Sequence, residues 1–420
     1  MKARMRYLTT VLALMLLVIL GVTPAGAGIL VQCPTDTVLA DGVTPGKDGI
    51  SDVPDVLCTH IAAGDGFTVM ADGKEQYIFS FAPVPPGTPD AAVVSNFIGR
   101  AKSPAPTIKV KQDQELYLSL SNVGMIMHPD LFDPHSVHWH GFVNAASVFD
   151  GVPEVSPAAA MQATQPYYYY AAKEGTFFYH CHVEASEHMQ MGMIGNLWVT
   201  PRQNDLPDGT DLNGFIHQDG YEYVYNDGDG STFYNVTYPV QLTTFDSAFH
   251  DASLTVQPLP FAEMKDNYFM INGRGYPDTV NTSDNDLTTD DGDIVNTAGD
   301  YYGENYVAQD VHSLIEASPG DKISLRLSNV STTDLITVAT TMGVPMRVVG
   351  RGAELLRGPT GIDTSYEVNV LNMGGGQAYD VIIDTDGVTP GTYFLYTTNL
   401  HFLSNDAEER GGIMTEIVIN

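Results

Sequence analysis

The stretch LYLSLSNV, Leu116 to Val123, indicates the fold because a near copy, ISLRLSNV, occurs at Ile323 to Val330. A second pair follows in the same order: EGTFFYHCH at Glu174 to His182 is echoed by PGTYFLYTT at Pro390 to Thr398. These segments alternate polar and apolar residues or are rich in β-branched and aromatic residues, as strands are. Because two strand-like segments recur in the same order in each half, the sequence predicts an all-β chain with two homologous Greek-key β-sandwich domains.

The N-terminal residues have the pattern of a secretory signal peptide. Basic residues precede the apolar run YLTTVLALMLLVILGV, and Ala25 and Ala27 form an A-x-A cleavage pattern. We therefore expect cleavage after residue 27 and export to the periplasm or the extracellular space. The rest of the predicted layout is an N-terminal extension over 28–64, a first domain over 65–200, a polar linker over 201–215 and a second domain over 216–420.

The charge of the chain limits its partners. The formal net charge is −32 at pH 7, and so acidic a surface repels nucleic acid and anionic lipid. The same surface attracts cations, such as a metal ion or a basic redox partner. No segment after the signal peptide is long and apolar enough to predict a membrane span.

The three cysteines divide into a pair and a single residue. Cys33 and Cys58 lie 25 positions apart, whereas Cys181 lies far along the chain among histidines. In an oxidising compartment the pair is expected to form a disulfide. An unpaired thiol in an exported protein is a liability, so its position between two histidines indicates that a metal holds Cys181 as a thiolate.

Strand geometry sorts the histidines of this region into two sets. Because alternate residues of a strand point to opposite faces, His180 and His182 face one way and Cys181 the other. In the segment DPHSVHWHGF, His138 and His140 likewise share a face, and His135 falls on the opposite one. The two segments therefore predict two metal sites, back to back.

The donors on the Cys181 side are those of a blue-copper centre. His135 and His188 supply two imidazoles, Cys181 a thiolate, and a nearby methionine a weak thioether. Met193 is the preferred thioether, and Met189 and Met191 are the alternatives, expected to fill the core instead.

The motifs SVHWHGF, FDGVPEV and GTFFYHCHVEASEHMQMGMIG resemble the copper-binding motifs of multicopper oxidases. These are cupredoxin-fold proteins related to laccases and copper nitrite reductases. FMINGRGYPDTV and GVPMRVVGRG extend the resemblance into the second domain. The resemblance implies copper as the cofactor, two cupredoxin-like domains, and two sets of ligands. The type 1 set is His135, Cys181, His188 and Met193, and the matches to type 2 and type 3 ligands are His138, His140, His180 and His182.

The resemblance also implies an activity. A reductant, whether a small molecule, a metal ion or a redox protein, gives electrons to the type 1 copper, and they pass through Cys181 to His180 or His182 at a second copper site that reduces dioxygen. Two alternatives remain open at this point. One is a nitrite-reductase-like enzyme, although that family carries a catalytic aspartate at the position of His138. The other is a non-enzymatic blue-copper electron carrier or copper-binding protein.

The second domain departs from the family pattern. A complete trinuclear cluster needs paired histidines there, but no histidine lies between His312 and His401. In the second copy of the repeat, Tyr396, Thr397 and Thr398 stand where the first copy has His-Cys-His. We therefore expect fewer than four coppers per chain, and a possible homotrimer in which a neighbouring subunit closes the second site.

Overall fold

The computed structural model describes residues 32–255, 258–282, 308–358, 360–406 and 408–420. The predicted signal peptide lies outside these residues. The described chain is mostly β and forms the two cupredoxin-like domains that the repeat predicts. Its three α-helices are short: α1 (Asp90–Phe97), α2 (Ala185–Gln190) and α3 (Ser247–Ala252).

The first domain is built from two four-stranded sheets. One has the order β2-β1-β4-β6 and the other the order β3-β8-β7-β5. The eight strands are β1 (Val56–Val69), β2 (Glu75–Pro83), β3 (Ala105–Lys111), β4 (Glu115–Gly124), β5 (His138–His140), β6 (Thr164–Tyr170), β7 (Gly175–His180) and β8 (Ile194–Thr200).

Two small hairpins connect the domains, and the second domain again has two sheets. Their orders are β14-β13-β16-β22-β18-β19, with β20 also paired to β18, and β15-β24-β23-β17-β21. The remaining strands are β9 (Asp211–Leu212), β10 (Phe215–Ile216), β11 (Glu222–Tyr223), β12 (Phe233–Tyr234), β13 (Val236–Phe245), β14 (Tyr268–Ile271), β15 (Ile315–Ala317), β16 (Lys322–Asn329), β17 (Ile336–Thr340), β18 (Met346–Arg351), β19 (Glu354–Leu355), β20 (Tyr366–Val368), β21 (Val370–Met373), β22 (Gln377–Asp384), β23 (Gly391–Tyr396) and β24 (Met414–Ile419).

The sequence repeat coincides with a repeat in topology. The two Ser-Asn-Val segments end β4 and β16, and each of these strands pairs in parallel with the first strand of its domain, β1 or β13. The two Gly-Thr-aromatic segments form β7 and β23, and each pairs antiparallel with the next long strand, β8 or β24. Equivalent segments therefore occupy equivalent places in the two sandwiches.

Each domain has its own apolar core. The alternation read from the sequence is visible in β24, where Thr415, Ile417 and Ile419 are buried and the residues between them are partly exposed. In the first core Trp139 stacks on Tyr169, with 3.7 Å between ring centroids. The core of the first domain thus fixes the strand that carries His138 and His140.

The predicted boundary at residue 64 falls inside a strand. β1 begins at Val56 and pairs with β4 from that residue, so part of the predicted extension belongs to the first sheet. Cys58 lies in this strand and is joined by a disulfide to Cys33. The β9–β10 hairpin likewise spans the predicted boundary at residue 215. Among the described residues, no helix has the length and apolar character needed to cross a bilayer.

Polar side chains join the domains across the sheet that contains β7. Arg326, buried on β16, donates to Thr176 Oγ1 at 3.1 Å and lies over the ring of Trp198. Thr176 in turn donates to Asp380 of β22 at 2.5 Å. A buried guanidinium with a carboxylate and an aromatic face as partners satisfies its charge without water. The interface therefore holds the His-Cys-His strand against the second domain.

Candidate metal centres

The structure brings three of the predicted type 1 residues together. Cys181 follows directly after β7, His188 lies in α2, and His135 forms an isolated β-bridge with Ala159. The Nδ1 atoms of His188 and His135 lie 3.2 and 4.0 Å from the Cys181 sulfur. All three side chains are buried, and their ligand atoms lie within 4.8 Å of one another.

A carboxylate that the sequence analysis did not identify lies behind both imidazoles. Asp133 Oδ1 is 3.3 Å from Nε2 of His188, and its Oδ2 is 3.8 Å from Nε2 of His135. At His188 this acceptor favours the tautomer whose Nδ1 lone pair faces the sulfur, as outer partners of metal-bound histidines do, whereas at His135 the carboxylate is close enough only for a charge interaction. The only signal in the sequence is an aspartate two residues before His135, which reads equally well as part of a polar turn.

Charges within this set favour a thiolate. Burial alone raises the pKa of Cys181, but His188 and then His135 outweigh burial and lower this pKa to about 5. Burial also works to lower the pKa of His188, yet the Cys181 thiolate and Asp133 raise it well above its usual value. Without a metal the pair is thus a thiolate beside an imidazolium, and a metal cation would replace the proton.

The backbone places Met193 beside the thiolate residue. The Cys181 N–H donates to the Met193 carbonyl at 3.1 Å, and the Met193 N–H donates to the His188 carbonyl at 2.8 Å. Met193 and Met191 are both fully buried in the core of the first domain. Met189 packs instead against Phe178 and its neighbours at the other side of the strand. Met193 as the thioether ligand remains a prediction.

A second group of histidines lies on the opposite face of the same strand pair. His138 and His180 are paired across β5 and β7, and with His140 they form a group whose ligand atoms lie within 4.8 Å. His138 Nδ1 lies 2.7 Å from the Asp150 carbonyl oxygen, and His180 Nδ1 lies 2.8 Å from the Cys181 carbonyl oxygen. A carbonyl only accepts, so both rings carry their proton on Nδ1 and leave the Nε2 lone pair free for a metal.

His182 also lies on this face, although it does not belong to that group of three. Its ring centroid lies 5.1 Å from that of His138 and 5.5 Å from that of His180. Burial lowers the pKa of His180 to about 3, and burial followed by the neighbouring His138 and His182 lowers the pKa of His140. The His140 and His180 rings are therefore neutral at neutral pH, and the neutral ring is the form that binds a metal.

The donor sets fit copper. One face offers two imidazole nitrogens around a buried thiolate, a combination of soft and intermediate donors that suits an ion cycling between the cuprous and cupric states. The other face offers only imidazoles, which also bind copper well. The residues that would hold the metal are His135, Cys181 and His188 on one face and His138, His140, His180 and His182 on the other, with Met193 as the expected additional ligand of the first.

The second domain brings no comparable group together among the residues that the structure describes. His217 lies 2.9 Å from the Tyr223 hydroxyl, and His250 lies between two backbone carbonyls. His401 lies exposed in a 3₁₀ turn, and His312 is partly buried. None of these four belongs to a group of three or more metal-binding side chains among the described residues. That the second domain lacks paired copper ligands stays a prediction.

Comparisons with known proteins identify the family. Two family models, both described as multicopper oxidase, match residues 88–204 and 247–418, which together make up more than half of the chain. The chain belongs to the multicopper oxidase family. It is accordingly a copper-dependent oxidoreductase, as the resemblance of its motifs implied.

Solved structures share the fold. The blue copper oxidase from Nitrosomonas europaea is 21% identical, with a TM-score of 0.59, 86% of this chain covered and 85% of the other. The multicopper oxidase mgLAC is 19% identical, with a TM-score of 0.58 and the same coverage. The copper nitrite reductase from Nitrosomonas europaea is 15% identical, with a TM-score of 0.53, 87% of this chain covered and 94% of the other. No curated protein matches the chain.

Proposed function

We propose that this multicopper oxidase takes electrons singly from a reductant at the His135–Cys181–His188 set and delivers them to the four-histidine set, where dioxygen is reduced. The proposal rests on one observation: the two sets contain residues that are consecutive in the chain. Cys181 belongs to one set, and His180, bonded to it, belongs to the other. The backbone and side chain of Cys181 therefore form a short covalent path between the two faces.

The residues around each set prepare it for this reaction. Bound copper would supply one-electron chemistry by alternating between its two oxidation states. Asp133 orients the imidazole of His188 and places a negative charge near His135, and the carbonyls of Asp150 and Cys181 fix the tautomers of His138 and His180. Burial of the Cys181 thiolate keeps water away from the type 1 set.

Oxygen uptake with an artificial one-electron reductant tests the proposal, and His180→Gln is the informative variant. We expect the copper-loaded wild type to consume dioxygen, whereas Cys181→Ser loses both the visible thiolate-to-copper band and the uptake. His180→Gln is expected to keep the band but lose the uptake. Because His182 is also bonded to Cys181, uptake that survives in the double variant His180→Gln/His182→Gln would contradict the proposed path, and consumption of nitrite instead of dioxygen would contradict the proposed acceptor.

The second site is open on one side, which supports a homotrimer in which a neighbouring subunit covers it. His140 is exposed, and the loop after it carries Val143, which is 74% exposed, and the exposed Val155. On the second domain, Leu335 and Leu400 are 65% and 74% exposed. Contact between such apolar patches would bury them in a closed ring of subunits. Light scattering is expected to give three chains, and elemental analysis fewer than four coppers per chain.

The proposal also includes export from the cytoplasm and the domain limits predicted from the sequence. The basic and apolar N-terminal pattern, together with the Cys33–Cys58 disulfide, supports cleavage after residue 27 and function outside the cytoplasm. The strongly acidic surface favours a cationic or metal-ion electron donor, or a basic redox protein. N-terminal sequencing of the protein isolated from its native compartment is expected to begin at Gly28, and an intact Met1 would contradict export by this signal.

A further inference from the structure

The loop over residues 188–193 carries two of the proposed type 1 ligands and lies against the second domain. Its backbone is held from both sides: within the first domain, the Phe79 N–H donates to the Met191 carbonyl at 3.0 Å, and the Ser80 hydroxyl donates to the Gly192 carbonyl at 2.8 Å. Gln190 of this segment, in addition, contacts the second domain. Gln190 is fully buried and lies between His188 and Met193.

The Gln190 side chain reaches a buried carboxylate of the second domain. Its Nε2 donates to Asp266 Oδ1 at 2.7 Å. Asp266 Oδ2 accepts the hydroxyls of Thr244 and Thr333, so both carboxylate oxygens have partners inside the protein. A hydrogen bond to a charged group is stronger than one between neutral groups, and a buried one cannot exchange with water.

The Gln190 backbone meets the second domain as well. His250 Nε2 lies 3.0 Å from the Gln190 carbonyl oxygen, and Nδ1 lies 2.6 Å from the Tyr77 carbonyl oxygen. Burial lowers the pKa of His250 to about 4, so at neutral pH its ring has one proton and donates to one of these oxygens while packing against the other. Phe245, whose ring centroid lies 4.5 Å from that of His250, also limits the space beside Gly192.

We propose that Asp266, assisted by His250, is a positioning residue for the type 1 site, supplied by the domain that lacks copper ligands. By fixing Gln190, Asp266 holds the loop that sets the direction of the His188 ring and the approach of Met193 to Cys181. The inference rests on the proposed type 1 site. It gives the second domain a role in tuning a copper that it does not bind.

The test compares three variants of the copper-loaded full chain. Asp266→Ala removes the acceptor for Gln190, whereas Asp266→Asn keeps an oxygen that can accept the same bond. Asp227→Ala is the matched control, because Asp227 is also a buried aspartate of the second domain and accepts an amide, Gln203 Nε2, at 2.8 Å and the Thr232 hydroxyl. The measurements are the reduction potential, the visible and electron paramagnetic resonance spectra, and the rate of copper loss to a chelator.

Asp266→Ala is expected to raise the potential, because a loosened Met193 interacts less with copper and favours the cuprous state. Copper loss is expected to accelerate about fivefold, the factor that corresponds to one buried hydrogen bond. Asp266→Asn is expected to stay close to wild type, and Asp227→Ala to lose stability without a change in potential or spectrum. An unchanged potential and spectrum in folded Asp266→Ala, or an equal change in Asp227→Ala, would overturn the proposal.

Two further measurements keep the test decisive if Asp266→Ala does not fold. Thr333→Val removes one hydroxyl that holds Asp266 and is expected to raise the potential by a smaller amount. Amide hydrogen exchange in the metal-free protein is expected to be faster over residues 188–193 in this variant, and unaltered exchange together with an unaltered potential would also overturn the proposal. If wild type itself lacks the thiolate-to-copper band, the proposed type 1 site is wrong, and that result is distinct from failure of the positioning role.

Discussion

Replacing Asp133 with asparagine is expected to raise the reduction potential of the type 1 copper. The carboxylate lies 3.3 Å from His188 Nε2 and 3.8 Å from His135 Nε2, and the side chain is 14% exposed. Burial alone raises the pKa of Asp133, but His135 and His188 outweigh burial and hold this pKa below its usual value. The negative charge is therefore present, and it favours the more positive, cupric state.

The size of the effect follows from Coulomb's law. One imidazole ring separates the carboxylate from the nitrogen that faces the sulfur, so a metal ion bound there is on the order of 7 Å from the carboxylate. At that distance and an effective dielectric constant of about 20, the interaction energy between two unit charges is roughly 2 kcal/mol. Because a tenfold change in an equilibrium constant equals about 1.4 kcal/mol, or about 59 mV for one electron, Asp133→Asn is expected to raise the potential by roughly 90 mV.

A potentiometric titration followed at the thiolate-to-copper band measures this shift. Asparagine has the shape of aspartate and retains an oxygen that can accept from Nε2, so the change is chiefly one of charge. Asp363→Asn is the control, since Asp363 pairs with Arg347 in the second domain and its loss removes the same charge far from the ligands. A potential that falls or stays constant in Asp133→Asn, with the band retained, would refute the electrostatic reasoning.

Three further outcomes are expected. Cys181→Ser should abolish the visible band while circular dichroism shows an intact β fold, and a persisting band would end the type 1 assignment. Met193→Leu should raise the potential, because losing an axial thioether favours cuprous copper, whereas a shift in Met191→Leu instead would identify Met191 as the ligand. Burial lowers the pKa of His60 to about 4, below its unfolded value of about 6.5. The free energy of unfolding should therefore be highest above pH 6.5 and fall toward pH 4, and His60→Gln should flatten that slope in denaturant titrations.

Local pattern was sufficient to predict the two domains and the grouping of the histidines. The repeats at β4 and β16 mark equivalent parallel pairings in the two sandwiches, and strand alternation separated Cys181 from His180. That alternation holds although β7 ends at His180, because Cys181 continues in the direction of the strand. The sequence signal was strong here because ligand type, spacing and strand period agreed.

Contacts between distant segments could not be predicted in the same way. The segment from Val56 to Val69 is a strand although it contains small and polar residues and glycine, because β2 and β4 pair with its two edges. Tertiary pairing of this kind overrides the preference of the local sequence. Asp133 and Asp266 likewise gave no recognisable signal. Each acquires its role only when the fold brings a ligand loop from another part of the chain against it.

The contact of the second domain with the first does not use the positions equivalent to His-Cys-His. The positions equivalent to His-Cys-His are Tyr396, Thr397 and Thr398 at the end of β23, in the sheet β15-β24-β23-β17-β21. The contacts to β7 come from the other sheet, through Arg326 of β16 and Asp380 of β22. A change of side chains at these three positions leaves the interface formed by the sheet with β16 and β22 unchanged. The second domain can therefore hold β7 and the ligand segment whether or not it binds a metal.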